Sequence, residues 1–377
     1  MADIRHTNPF ILRGYAGKEY FCDRIEETKR LCEEIANGNN VAIIAERRLG
    51  KTGLIYHLFN RPEIKKRYYT FVIDIYATKN IQEMVNEIGR NILSELKPMG
   101  TKAVSQFVNM LQSLRSQITF DAAGTPTWNV GLGDISTPDV TLDEIFRYLS
   151  AADKHCIVAI DEFQTITTYP EKGIEALLRT HIQHCHNASF IFSGSRRTMM
   201  SEIFLSHARP FYQSTSIMTI GPIDKEKYAD FATTMFRKGD KNIDRDTIYG
   251  IYRRFDGITW YVQKLMNKLY SMTAGGETCT ADMAEAALSQ LISDSTEAYQ
   301  FLLYQLPAKQ KEQLLAISKA GKATAITSSA FVKKYRLPSP SSVQSAVKGL
   351  IEKDFVTVNK DTYEVYDRFF AIWLNQL

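Results

Sequence analysis

The 377-residue sequence has no run of about 18 apolar residues, which argues against a membrane-spanning helix. Its first residues, MADIRHTNPF, contain no apolar stretch of the kind found in a secretory signal peptide. The five cysteines are scattered and form no C-x-x-C pair, which is typical of thiols that stay reduced. We therefore expect a cytoplasmic protein that makes no contact with a membrane.

The chain also carries little net charge, only +4, and this charge is unevenly distributed. The segment from Pro307 to Leu377 contains 11 Lys and Arg residues against 6 Asp and Glu residues, so the positive excess lies at the C-terminal end. This excess permits an acidic partner such as DNA but does not require one. The length and the 44% of hydrophobic residues suggest about two or three globular domains.

A phosphate-binding loop with one glycine missing occupies residues 45–53, AERRLGKTG. The pattern G-x-x-x-x-G-K-[ST] begins here with an alanine, and the loop residues are Ala45, Glu46, Arg47, Arg48, Leu49, Gly50, Lys51, Thr52 and Gly53. An apolar run at 41–44 precedes the loop and a helical pattern follows it, which is the context that such a loop needs. The methyl group of Ala45 is a small change if its φ is negative, so we predict a working nucleotide site.

Two carboxylates follow another apolar run. Residues 157–160 lead directly into Asp161 and Glu162, at the end of a predicted buried strand. Asp161 can hold Mg²⁺ together with the hydroxyl group of Thr52, and Glu162 can orient or deprotonate an attacking water. We therefore predict that ATP and Mg²⁺ bind here, with Lys51 and Glu162 as catalytic residues.

Apolar runs at 67–77, 155–163, 189–195 and 216–223 alternate with helical patterns such as those at 80–96 and 141–152. This alternation indicates an α/β fold with a parallel sheet. The run at 189–195 ends in FSGSRR, so Ser193, Ser195 and Arg196 should emerge at the same sheet edge as the phosphate-binding loop. Two interpretations stay open: one of these polar groups contacts a phosphate or the water, or Ser195 caps the helix that follows.

From residue 307 the pattern changes to three short helices and a hairpin that turns at 359–361, which is typical of a winged helix. On the third helix Val343, Val347 and Leu350 should face inward. The outward residues, which suit either DNA or an ordinary polar or protein-binding surface, are Ser342, Gln344, Ser345 and Lys348. The apolar residues of 363–373 form more apolar surface than one small wing needs, so part of it should pack either on the domain that holds the phosphate-binding loop or on the helices between that domain and residue 307.

Together these motifs resemble the archaeal-type prokaryotic ATPase family, P-loop proteins of the AAA+/STAND group. The matching pieces span nearly the whole chain: NPFILRGYAGKEYFCDR, AERRLGKTGLI, CIVAIDEFQTI, FIFSGSRRTMM, GPIDKEKYADF, FDGITWYVQKL and YEVYDRFFAIWL. The resemblance implies a P-loop ATPase core at 1–223 with sheet order 5-1-4-3-2. It also implies a helical lid at 224–306 and a winged-helix domain at 307–377.

The resemblance further implies particular site residues. Asp23 and Arg24 occupy the place that lies close to the adenine in this family. Ser193 is a candidate for nucleotide contact, and Arg196 is a candidate phosphate sensor, because AAA+ proteins often supply an arginine to the γ-phosphate.

Three functions fit these observations. The first is a nucleotide-driven switch with Mg²⁺-dependent ATP hydrolysis, acting on an unidentified protein partner. The second is a DNA-binding AAA+ protein resembling origin-recognition proteins, in which ATP is mainly structural. The third is an interaction scaffold with an inert nucleotide pocket. The sequence leaves open whether the chain forms oligomers.

Overall fold

A computed structural model of the protein describes residues 8–114, 117–121 and 126–377. They form two compact units, one of residues 13–223 and one that combines residues 8–12 with 224–377. The chain therefore crosses between the units twice, after Leu12 and after Ile223.

The first unit is built on a five-stranded parallel sheet. Its strands are β1 (Val41–Ile44), β2 (Tyr68–Asp74), β3 (His155–Asp161), β4 (Ala188–Gly194) and β5 (Ser216–Thr219). Across the sheet they lie in the order β2-β3-β4-β1-β5, and every neighbouring pair is parallel. Read from the other side, this is the order 5-1-4-3-2, so the predicted P-loop topology is confirmed.

Burial explains the apolar runs in the sequence. Every residue of β1 and β4, which lie inside the sheet, is buried. The edge strand β2 instead alternates between buried and less buried residues. Strands covered on both faces need continuous apolar sequence, whereas an edge strand tolerates polar positions.

Eight helices accompany this sheet in the described part of the first unit: α1 (Ile25–Ala36), α2 (Lys51–Phe59), α3 (Pro62–Arg67), α4 (Ile81–Leu96), α5 (Thr101–Met110), α6 (Pro138–Ala151), α7 (Ile174–His184) and α8 (Arg197–Leu205). Short 3₁₀ helices cover Lys18–Tyr20, Lys97–Met99, Gln112–Leu114, Leu132–Asp134 and Phe163–Thr168. Strands Ile118–Phe120 and Pro126–Trp128 pair in an antiparallel manner. Trp128 lies so close to α4 that a Cβ on Gly89 would be 2.3 Å from its ring.

The second unit is mostly helical. Its helices are α9 (Lys225–Lys238), α10 (Arg245–Arg254), α11 (Thr259–Met272), α12 (Ala281–Tyr304), α13 (Ala308–Ala320), α14 (Ser329–Lys334), α15 (Pro340–Glu352) and α16 (Arg368–Leu374). Two-residue strands Asn242–Ile243 and Thr278–Cys279 pair in parallel.

The C-terminal part of this unit is the predicted winged helix. α13, α14 and α15 are followed by an antiparallel hairpin of Val356–Asn359 and Thr362–Val365. The hairpin turns through Lys360, which has a φ of 54°. On α15, Val343, Val347 and Leu350 are buried as predicted.

The aromatic surface at the end of the chain packs on the helical segment within the same unit. The Phe369 ring lies 5.1 Å from that of Phe255 and 5.5 Å from that of Tyr261. The Tyr261 hydroxyl donates a hydrogen bond of 3.0 Å to the carbonyl oxygen of Tyr366. The winged-helix segment is thus joined to the preceding helices by an aromatic core.

Residues 8–12 also pack within the second unit. Phe10 is fully buried, and its ring is 5.5 Å from that of Phe236. The Asn8 side chain donates to the carbonyl of Asn267, and the Asn267 side chain donates to the carbonyl of Phe10, both at 2.8 Å. The domain limits 1–223, 224–306 and 307–377 stay a prediction, and these contacts place 8–12 with the helices instead of the sheet.

We expect Phe369→Ala to lower the free energy of unfolding by about 3–5 kcal/mol, because it removes a buried ring between Phe255 and Tyr261. Chemical denaturation measures this change, and limited proteolysis should cleave more readily near residues 305–307. Tyr304→Ala is the control, because Tyr304 is 81% exposed. Equal effects of the two substitutions would contradict the packing role of Phe369.

Candidate functional site

The ends of four neighbouring strands bring the predicted site residues together. Asp74 at the end of β2 pairs with Asp161 at the end of β3, and Gly194 at the end of β4 pairs with Ile44 at the end of β1. The loops that follow these strands therefore start at the same sheet edge. Ligands of parallel α/β sheets bind at this edge.

The backbone of the phosphate-binding loop is that of a tight turn. Gly50 has a φ of 90° and immediately precedes α2, and Arg48 has a φ of 68°. Ala45 is buried and does not have the positive φ of these residues. A Cβ costs little at such a backbone position, so the alanine is compatible with the loop.

Lys51 lies in the first turn of α2 and is only 6% exposed. Its Nζ atom donates to the carbonyl oxygens of Ala45 at 3.2 Å and Glu46 at 3.0 Å. Burial lowers the pKa of Lys51, whereas the carboxylates of Glu162 and Asp161 raise it. The loop thus closes around its own lysine, whose donors can be transferred to an incoming phosphate.

A direct hydrogen bond connects the two predicted metal ligands. The Thr52 hydroxyl donates to Oδ2 of Asp161 at 2.6 Å, and Asp161 is buried. Within residues 8–114, 117–121 and 126–377, no group of three or more His, Cys, Asp or Glu side chains is arranged to hold a metal ion. The protein therefore offers two convergent oxygen atoms, which fits Mg²⁺, since this ion keeps several waters and binds substrate phosphates.

Glu162 lies beside this pair with a φ of 55°. Its Oε2 atom accepts hydrogen bonds from the Ser195 hydroxyl at 2.7 Å and from Nε2 of Gln164 at 2.5 Å. Arg47 of the phosphate-binding loop donates from Nε to the Ser195 hydroxyl at 2.8 Å. Ser195 does not cap α8, whose N-cap is Arg196 and which has no side-chain cap.

The other polar residues after β4 are placed differently. Ser193 is fully buried, and no residue in the described part of the chain accepts or donates a hydrogen bond at its hydroxyl. Arg196 is exposed, with Nη1 3.9 Å from the sulfur of Met199. Arg209, which follows α8, forms an ion pair of 2.7 Å with Glu175. The roles of Ser193 and Arg196 toward a nucleotide stay predictions.

Arg24 stabilises the backbone of the phosphate-binding loop. It is 3% exposed and has a φ of 62°, next to Asp23 with a φ of 54°. Its guanidinium donates to Glu27 at 2.7 Å, to the Leu49 carbonyl at 3.1 Å and to the Gly221 carbonyl at 2.7 Å. These contacts show that Arg24 has a structural role. Its proximity to an adenine stays a prediction that comes from the family resemblance.

Sequence reasoning missed two residues of this edge, Asp74 and Gln164. Partial loss of hydration raises the pKa of Asp74, and the negative charges of Asp161 and Glu162 raise it further. A signal for Asp74 was present, because β2 ends in an aspartate just as β3 does. Gln164 had no signal, since the 3₁₀ helix that places it follows from no sequence pattern.

Residues 21–265 match the family described as an ATPase domain predominantly from Archaea. The chain belongs to this ATPase family. Residues 297–376 match a probable winged helix domain. The chain is thus an ATP-binding ATPase with a C-terminal winged helix, as its sequence motifs indicate.

Several solved structures share this fold at low identity. The Walker-type ATPase PABY2304 of Pyrococcus abyssi is 19% identical, with a TM-score of 0.65 over 97% of this chain and 99% of that one. The ORC2 protein of Aeropyrum pernix, in ADPNP and ADP complexes, is 13% identical, with a TM-score of 0.59 over 98% and 95%. The ORC1 protein of A. pernix, in complex with DNA, is 13% identical, with a TM-score of 0.52 over 99% and 98%.

A search of curated proteins found no match. Among the described residues, none of the helices has both the length and the apolar character needed to cross a bilayer.

We expect Asp74→Asn to raise the melting temperature at pH 7.5 by no more than about 2 °C, because Asp74 is exposed and screening by solvent keeps the gain below about 1 kcal/mol. The folded-state pKa of Asp74 is raised, so its charge costs stability above that pKa. The gain should be smaller at pH 4 than at pH 7.5, because protonation of the wild-type carboxyl group removes its charge as the pH falls. Asparagine keeps the oxygen that accepts from the Tyr76 N–H.

Thermal unfolding at both pH values measures the effect. Asp361→Asn, in the exposed turn of the wing, is the matched control and should change neither value. A larger gain at pH 4 than at pH 7.5 would show that the charge of Asp74 is not the cause.

Proposed function

We propose that the protein is a Mg²⁺-dependent ATPase that acts as a nucleotide-driven switch. The observation that carries this proposal is the 2.6 Å hydrogen bond between Thr52 and Asp161, with Lys51 in the same loop and Glu162 adjacent. These four side chains have the chemistry needed to hold phosphates, hold a hard cation and activate water.

Each residue has a separate task in this proposal. The first N–H groups of α2 and its positive dipole end bind the phosphates, and Lys51 transfers its donors from the carbonyls of Ala45 and Glu46 to them. Thr52 and Asp161 hold Mg²⁺, which supplies charge neutralisation at the phosphates. Glu162 orients the attacking water and accepts its proton.

Arg24 supports the switch part of the proposal. It hydrogen-bonds to Leu49 in the phosphate-binding loop and to Gly221, two residues before the chain leaves the first unit. A movement of the loop on nucleotide binding therefore acts directly on the segment that leads into the helical unit. The winged helix would move with the helices, because the Phe369 core joins them.

DNA binding is the second candidate function. Ser341, Gln344, Ser345 and Lys348 are exposed on α15, the helix that reads DNA in winged-helix proteins. From the sequence we assign five cations to that side of the domain: Lys333, Lys334, Arg336, Lys348 and Lys360. Five phosphate contacts would give a log–log salt slope of at most about −4.5, so filter binding with a slope near this value would favour the alternative.

The partner and the compartment are part of the same proposal. We place the protein in the cytoplasm, because its five cysteines are scattered along the sequence and form no C-x-x-C pair. We propose that the switch acts on a protein partner, which is unidentified. The chain could also form an oligomer with copies of itself.

We expect Glu162→Gln to keep ATP binding but to lower steady-state turnover by a factor of about 10² or more, because the amide cannot accept the proton from water. Asp161→Asn should instead weaken the Mg²⁺-dependent part of nucleotide binding. Phosphate release and titration with a fluorescent ATP analogue measure the two effects.

Glu33→Gln, on the exposed face of α1, is the matched control and should behave like the wild type. Equal loss of nucleotide binding in Glu162→Gln and Asp161→Asn would assign a structural role to Glu162 and contradict the proposed mechanism.

A further inference from the structure

A cavity of about 230 Å³ lies in the first unit, at the sheet edge opposite the phosphate-binding loop. Asn40 and Thr215 mark this edge, because they directly precede β1 and β5. Arg179 and Ile182, in the C-terminal half of α7, complete one wall of the cavity. The residues that line it therefore lie at the start of the strands, whereas the predicted nucleotide site lies at their end.

Two residues of this wall each have a buried polar atom without a hydrogen-bond partner in the described part of the chain. These atoms are Nε of Arg179 and the hydroxyl oxygen of Thr215. Nη1 of Arg179 donates to Oε1 of Gln183 at 3.0 Å, so the guanidinium is held on α7 while its Nε–H group stays unused. Buried donors are costly to leave unpaired, so both groups need an acceptor from outside the chain.

Asn40 adds a third donor in a fixed position. Its Oδ1 atom accepts from the N–H of Phe190 at 2.8 Å, and its carbonyl oxygen accepts from the N–H of Ser216 at 2.8 Å. Since Oδ1 is already used, the Nδ2 amide group is available to donate. The Ser214 hydroxyl, in contrast, already donates to the carbonyl oxygen of Phe211 at 2.6 Å.

The rest of the wall is largely apolar. Ile182, Phe192 and Phe211 are buried, and the rings of Phe192 and Phe211 lie 5.5 Å apart. The charge of Arg179 is not balanced by Glu175, one turn earlier on α7, because Glu175 pairs with Arg209 at 2.7 Å. Water alone suits such a wall poorly, since a buried water typically makes about three hydrogen bonds to polar groups.

We propose that this cavity binds a small organic carboxylate, with its charged end on Arg179 and Thr215 and its apolar body against Phe192 and Phe211. A carboxylate accepts several hydrogen bonds and carries the single negative charge that one guanidinium balances. The cavity is smaller than the pockets of about 300–1,000 Å³ that hold drug-sized ligands, so its ligand is smaller too. This site is separate from the phosphate edge and does not depend on the proposed ATPase function.

The probe is benzoate, which combines one carboxylate with one aromatic ring. Isothermal titration calorimetry of the full chain without nucleotide should show a single site, with a dissociation constant of about 1 mM or lower. Benzamide has the same shape and no charge, so it should bind at least about tenfold more weakly.

Two substitutions assign the binding to the cavity. Thr215→Val keeps the shape of the side chain and should weaken benzoate binding about tenfold. It should not lower the melting temperature of the free protein, because the hydroxyl has no partner to lose. Arg179→Gln should weaken benzoate binding by at least about tenfold, since it removes the charge. Thr180→Val, on the exposed side of α7, is the control and should bind benzoate like the wild type.

The affinity for a fluorescent ATP analogue should stay within about twofold of the wild type in all three variants, because the cavity lies at the other edge of the sheet. A parallel loss of this affinity and of benzoate binding in Thr215→Val would place benzoate in the nucleotide site and overturn the inference. The inference also fails if benzoate does not bind at up to about 20 mM, or if Thr215→Val and Arg179→Gln leave its binding unchanged. Equal affinity for benzamide, or tighter binding of inorganic phosphate that Arg179→Gln abolishes, would rule out a carboxylate as the ligand.

Discussion

The proposed function depends on the hydrogen bond between Thr52 and Asp161. It joins the first turn of α2 to the end of β3, two residues that are 109 positions apart in the sequence. β3 is not a neighbour of β1 in the sheet, because β4 lies between them. The last residue of β4 is Gly194, and the side chains of Gln164 and Met200 fill the space beside this glycine.

The backbone conformation of the phosphate-binding loop explains why its alanine is tolerated. The left-handed backbone positions in this loop belong to Arg48 and Gly50, not to Ala45. The carbonyl oxygens of Ala45 and Glu46 are used to hold Lys51 in the buried interior of the loop. The loop is thus shaped by its lysine and by Arg24 on its outer side, so the first glycine of the motif is not essential to its form.

Much of this site could be predicted from the sequence, because its residues directly follow short apolar segments that are recognisable as strands. The strands around the loop and around Asp161 are continuous apolar runs, and the side chains that follow parallel strands must meet at one edge. Contacts between side chains that are far apart in the sequence cannot be predicted from such segments. The bond from Arg47 to Ser195 spans 148 positions and depends on side-chain rotamers, which no spacing encodes. The attachment of Phe10 to the helical unit was missed for the same reason, since its partners are more than 200 residues away.

The central claim is that this pocket hydrolyses ATP instead of only binding it. Its most direct test is phosphate release by the purified wild-type protein in Mg²⁺ and in excess EDTA, with Lys51→Met as the background. The account predicts release that requires Mg²⁺ and exceeds the rate of Lys51→Met. Tight ATP binding with no release above that background would contradict it and would identify the protein as a scaffold with an inert nucleotide pocket.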